Sequence, residues 1–133
     1  MIRFLFRRPK FPIICDAQDV LIAAESPKQL YDQICSNELI RGEQIPVIDV
    51  SAEGWVLHTD LMVISPLTLK KRWTKKEVVE VFNKSKTAKE AGLEYSLKSL
   101  SAKRFDRIAR EIVKLALSAN KPLQRTRKKP ARR

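Results

Sequence analysis

The residues from which many active sites are built are scarce in this sequence. One histidine, two cysteines and three glycines occur in 133 residues. A structural zinc site takes about four Cys or His ligands, so none is expected. Three glycines leave little scope for a backbone phosphate cradle, and no G-x-S-x-G, H-E-x-x-H or Gly-rich phosphate loop is present. Cys15 and Cys35 stand alone in the apolar contexts "PIICD" and "YDQICS". They are expected as reduced, partly buried thiols. Long apolar runs are also missing. Nothing approaches the roughly 18 residues that a spanning helix needs, so no membrane partner is expected. The opening "MIRFLFRRPKFPIIC" has the basic-then-apolar order of a signal peptide, but Arg7, Arg8 and Lys10 interrupt it and no small-residue cleavage site follows. It is read as the first strand region of a cytoplasmic protein.

What the chain has is positive charge in one half. Residues 1–70 carry seven Lys/Arg against nine Asp/Glu. Residues 71–133 carry twenty against six, and the whole chain nets +12. The asymmetry points to an anionic partner for the second half. At 44% hydrophobic and 32% charged, the composition is that of a folded domain with one modest core.

Periodicity divides the same two halves. "FPIICDA" and "DVLIAAES" predict two strands. "SPKQLYDQI" predicts a helix, with Ser26 as N-cap and Pro27 in the first turn. "QIPVIDV" and "WVLHTDLMVI" around "SAEG" predict a hairpin. In its second strand Trp55, Leu57, Thr59, Leu61 and Val63 are the expected core face. Residues 1–68 thus read as a small antiparallel β-β-α-β-β sheet with one packed helix, and the fold class is α+β.

Residues 69–119 read as helical and basic, in one domain with the sheet. Thr74 and Glu77 have capping-box spacing. A single helical turn is expected near Lys89. Ser101 is expected to cap the strongest helix, whose stripe is Phe105, Ile108, Ala109, Ile112, Leu115 and Ala116, with Asp106 and Arg110 paired at i, i+4. Asn120 and Lys121–Pro122 end it. The tail, residues 120–133, has seven basic residues and no apolar periodicity, and is expected to be disordered.

Two stretches carry resemblances. "FPIICDAQDVLIAAESPKQLYDQI" followed by "IDVSAEGWVL" resembles a group of small bacterial proteins of unknown function. The shared positions are Pro12, Ile13, Ile14, Cys15, Asp16, Asp19, Val20, Ile22, Glu53 and Gly54. This covers about half of the chain, implies the same β-β-α-β-β arrangement, and transfers no catalytic or binding residue. "NKPLQRTRKKPARR" is similar to peptides encoded where a reading frame runs into the recombination site of an integron gene cassette. That resemblance implies a bacterial, mobile accessory gene and tail charges incidental to function.

Candidate chemistry is thin. His58 with Asp60 on one strand face could act as base and orienting acid. Asp16, Asp19 and Glu25 near strand ends could hold a cation. Ordinary surface roles account for both groups, and neither catalytic nor metal nor cofactor residues are assigned. Ala88-x-x-x-Gly92-Leu93 imitates a helix-turn-helix, but Leu97 and Leu100 stand one place off the positions that would anchor a recognition helix. The site expected instead is an anionic-partner surface of Lys70, Lys71, Arg72, Lys75, Lys76, Lys103, Arg104, Arg107, Arg110 and Lys114. Trp73 and Tyr95 are its only stacking residues. Two functions follow. The first is a non-catalytic protein that binds a protein partner, of the immunity or anti-phage type. The second is a sequence-nonspecific DNA- or RNA-binding protein. Composition fixes neither the partner nor the oligomeric state.

Overall fold

The computed structural model describes residues 2–17, 20–36, 44–67, 72–98 and 100–119. Six strands form one mixed sheet: β1 (Arg3–Phe4), β2 (Ile13–Ala17), β3 (Val20–Ala24), β4 (Gln44–Asp49), β5 (Gly54–His58) and β6 (Val63–Pro66), in the order β1-β6-β5-β4-β2-β3. Four helices join it: α1 (Pro27–Cys35), α2 (Lys75–Lys84), α3 (Lys86–Ala91) and α4 (Phe105–Ala119). The class is α+β. The sheet departs from the antiparallel β-β-α-β-β expectation in two ways, because β1 adds a strand parallel to β6 and the long second hairpin strand is two strands.

That division has a local cause. Residues 59–62 turn the chain, with the Leu61 N–H donating to the His58 carbonyl at 3.2 Å and Met62 in the left-handed region at φ 53°. Val63 therefore pairs with His58, and Ile64 with Leu57. Trp55 and Leu57 do face the core, as expected, but Ile64 joins them in place of Val63. Leu61, expected inside, is 65% exposed at the turn.

Strict alternation along β2 and β3 sends side chains to two cores. Ile13, Cys15, Ile22 and Ala24 join Ile45, Val47, Trp55 and Leu57 beneath α1, which contributes Leu30 and Ile34. Ile14, Leu21, Ala23 and Ile48 face the other way, against Val78, Val79 and Phe82 of α2, Ala88 of α3 and Ile108, Ile112 and Val113 of α4. The helical half is thus a second layer on the sheet. Burial on both faces is why these strands are almost wholly apolar.

Local signals set the helix ends. Ser26 accepts the Gln29 N–H at 3.2 Å with Pro27 in the first turn. Thr74 and Glu77 form the reciprocal capping box. Gly92, at φ 69°, closes α3 in the conformation that favours glycine. The α3 turn matches the expectation near Lys89. Helix α4 starts later than expected, since Ser101 lies inside a 3₁₀ turn, Leu100–Ala102, closed by Lys103 N–H to Leu100 O at 3.1 Å. More than a turn of non-helical chain thus separates α3 from α4, unlike a helix-turn-helix. The outer edge of β3 is met from both layers. Gln33 of α1 donates to the Ala23 carbonyl at 2.6 Å, and Thr87 of α3 accepts the Leu21 N–H at 3.1 Å.

Candidate anionic-partner surface

Helix α4 buries Ile108, Ala109, Ile112, Val113 and Ala116, so its opposite face is fixed toward solvent. The basic residues fall there because helical neighbours recur three and four positions apart. Arg107, Arg110 and Lys114 follow that spacing and make one ridge, with Lys103 in the bend just before the helix. Arg107, Arg110 and Lys114 are exposed.

Intramolecular acids brace one end of this ridge. Glu111 accepts from the Tyr95 hydroxyl, from Lys103 Nζ at 3.2 Å and from Arg107 Nε at 3.2 Å. The Tyr95 hydrogen bond is the chief reason that the Glu111 carboxyl is held down at about 2, with Arg107 and Lys103 adding to it against partial desolvation. Burial first, and the bond to Glu111 second, push the Tyr95 phenol up. Lys103 Nζ also lies 5.0 Å from the centre of the Tyr95 ring. Arg104 pairs with Asp106 at 3.3 Å. The expected Asp106–Arg110 pair is therefore replaced by Asp106–Arg104. Among the described residues no carboxylate pairs with Arg110 or Lys114. Five cations from Lys103 to Lys114 face two acids, leaving a local charge of +3.

The remaining predicted cations do not simply extend the ridge. Lys75 Nζ caps the Leu100 carbonyl at 3.1 Å, and Arg72 donates to the Ser51 carbonyl at 3.3 Å. Lys76 is exposed at the start of α2. Lys70 and Lys71 lie outside the described residues, as do Asp19, Asn120 and the tail. Tyr95 is buried and Trp73 half-buried, so the expected stacking platform is not on the surface.

Two cavities flank α2 and α4. One, of about 390 Å³, is lined by Val50, Ser51, Arg104, Phe105, Asp106 and Arg110. It lies at the amino end of α4, the positive end of the helix dipole. The other, of about 360 Å³, is lined by Asp16, Trp73, Glu77, Glu80, Val81 and Lys84.

The other candidates do not converge. His58 is half-buried at the end of β5, whereas Asp60 is exposed in the turn beyond it. Asp16 pairs with Leu21 near the closed end of the β2–β3 hairpin, and Glu25 follows Ala24, which pairs with Ile13 at the open end. No group of three His, Cys, Asp or Glu suited to a metal occurs among the described residues. Cys15 is buried, with its thiol pushed up to about 12 by desolvation and by Asp16, while Cys35 is exposed rather than partly buried.

A buried carboxylate with five hydrogen bonds escaped the sequence reading. Asp49 is 1% exposed. Its Oδ1 accepts from Ser51 N (2.9 Å), Ser51 Oγ (2.6 Å) and Glu53 N (3.0 Å). Its Oδ2 accepts from Lys10 N and Trp55 Nε1, both at 3.1 Å. All of its partners are the protein's own donors, so it organises the hairpin rather than presenting chemistry. Compared with family models, with curated proteins and with solved structures, the chain matches none.

Proposed function

We propose that this is a non-catalytic binding protein whose α4 ridge engages the acidic face of a protein partner. The observation that carries the reading is Arg110 and Lys114, exposed one turn apart on a helix whose opposite side is core, with no carboxylate of their own among the described residues. Braced neighbours limit the ridge to a few directed charges. That pattern suits paired carboxylates at defined spacing, which give specificity and association rate more than bulk affinity. The accessory gene implied by the tail resemblance accords with a role in neutralising a toxin or a phage factor, and the +5 that remains of +12 without the seven tail charges suits an acidic target.

A second reading is nonspecific DNA or RNA binding. The cavity carrying Arg104 and Arg110 at the amino end of α4 favours it, because helix N-termini and arginines suit phosphates. One titration separates the two. The wild-type chain and Arg110→Glu/Lys114→Glu are measured against polyglutamate, duplex DNA and single-stranded RNA over a range of salt. The protein-partner reading expects the variant to lose polyglutamate binding about tenfold or more, while its nucleic-acid salt slope stays unchanged. A slope reduced by about two would assign the ridge to phosphates instead. No change with any polymer would overturn both. Neither substituted side chain holds the fold, so stability should move by no more than about 0.5 kcal/mol.

A further inference from the structure

The amino-terminal corner of the sheet displays an aromatic ring in an unusual way. Phe6 is 91% exposed and has φ 69°, a left-handed conformation that bulky residues rarely adopt. The Arg7 N–H reaches back to the Leu5 carbonyl at 2.7 Å, which makes Phe6 the apex of a three-residue turn. Both flanks are anchored. The Leu5 N–H donates to the Ile64 carbonyl at 2.9 Å. The Arg7 guanidinium bonds Glu53 and lies 5.0 Å from the Trp55 ring centre, and that of Arg8 lies 4.8 Å from the Phe4 ring. The ring is therefore held outward by fixed neighbours. Leu5, also exposed, stands beside it. Around them Arg3, Arg8 and Lys10 are exposed, and no acidic residue occurs before Asp16.

We propose that this corner docks on an anionic lipid surface, with Phe6 and Leu5 entering the boundary between headgroups and acyl chains while Arg3, Arg8 and Lys10 meet lipid phosphates. Two apolar side chains on a convex turn need a surface that yields to them. Glu53 is held by Arg7 and the exposed Asp60 lies on the adjoining turn, so the collar is net positive and needs negative charge at the same depth. An anionic bilayer supplies both, and attraction to it grows with each juxtaposed Lys or Arg. Such docking places the protein on the membrane rather than across it, and among the described residues no helix is long and apolar enough to cross. This surface is separate from the ridge on the outer side of α4, the helix that packs over β2 and β3 at the other end of the sheet order.

The test is co-sedimentation of the full chain with vesicles of phosphatidylcholine alone, or of phosphatidylcholine with phosphatidylglycerol, at physiological salt. Wild-type protein should bind only the anionic vesicles. Phe6→Gly suits the turn and removes only the ring, and should weaken binding about tenfold, as expected for losing one inserted aromatic. Leu97→Ala, an exposed leucine elsewhere, should not. The Phe6→Gly loss should persist in the Arg110→Glu/Lys114→Glu background, so failure here and failure of the ridge are told apart. Phe6→Trp should show an added emission component that shifts to the blue on binding and is quenched by brominated acyl chains. Unbound wild-type protein, undiminished binding by Phe6→Gly, or an unquenched tryptophan at position 6 would each overturn the proposal. The last two outcomes would assign any vesicle binding to net charge alone.

Discussion

Replacing Asp49 by asparagine tests whether one buried carboxylate holds the β4–β5 hairpin together. The carboxylate gives three acceptor contacts from Oδ1 and two from Oδ2. An amide keeps one oxygen. With that oxygen toward Ser51 and Glu53, its NH₂ faces the Lys10 N–H and the Trp55 Nε1–H, donor against donor. Flipped, it faces three donors. Trp55 is fully buried, so its indole N–H has no water to turn to. One orphaned buried donor costs about 1–3 kcal/mol, and with the second the loss should total about 2–4 kcal/mol. Asp49→Ala should cost at least as much. Against the 5–15 kcal/mol typical of whole domains, this is a large fraction. Urea unfolding followed by tryptophan fluorescence and by far-ultraviolet circular dichroism should show the midpoint lowered by roughly 1–2 M, with the two probes coincident. In a double-mutant cycle with Trp55→Phe, a coupling of about 1–2 kcal/mol is expected. Asp49→Asn unfolding within about 0.5 kcal/mol of the wild type would refute the account.

Three further outcomes follow from the same geometry. Glu111 titrates at about 2 in the folded chain, below its unfolded range, so it stabilises the fold above about pH 4.3 and that stabilisation is lost as pH falls toward 2. The stability gap between wild type and Glu111→Gln should therefore close across that window, read by urea midpoints at each pH. In the Tyr95→Phe variant the Glu111 carboxyl should titrate higher by carbon-detected NMR, because the phenol is its largest stabiliser. A thiol-reactive disulfide reagent near neutral pH should label Cys35 promptly and Cys15 only after denaturation, seen as one and then two adducts by mass spectrometry.

Much of the fold was legible where the signal is local. Ser26–Pro27 and Thr74 with Glu77 act within one turn, and both caps form as their spacing predicts. The apolar runs "PIIC" and "VLIAA" marked strands correctly, but the second covered face, which fits their lack of polar alternation, was not part of the one-helix expectation. The misses depend on distant partners or on unmarked backbone. Strand β1 exists only because residues 3 and 4 find residues 63 and 64. The turn at 59–62 has a left-handed methionine where glycine or asparagine would have announced it. Asp49 did leave a signal, since Asp-x-Ser before a glycine turn is an Asx-turn pattern, but "SAEG" drew the reading to the turn itself. At the candidate surface, charge was readable and its disposition was not. Whether Lys75 meets solvent or the Leu100 carbonyl, and whether Lys103 is free or bound to Tyr95 and Glu111, is decided by packing between elements distant in sequence.

The parallel pairing of β1 with β6 sets an order of events during synthesis. Arg3 is made well before its backbone partner Met62, and the anchors of the following turn, Glu53 and Ile64, also come late. The amino-terminal segment must therefore wait unpaired, with Phe6 and its basic neighbours uncovered, until the far side of the sheet has been made. Once docked it has only a two-residue ladder to hold it. Its amides should be the first to exchange with solvent, well before those of β2 or β4. Where the β3 edge is met by side chains from both layers, β6 at the other side is flanked by the two residues of β1, which form the opposite edge of the sheet.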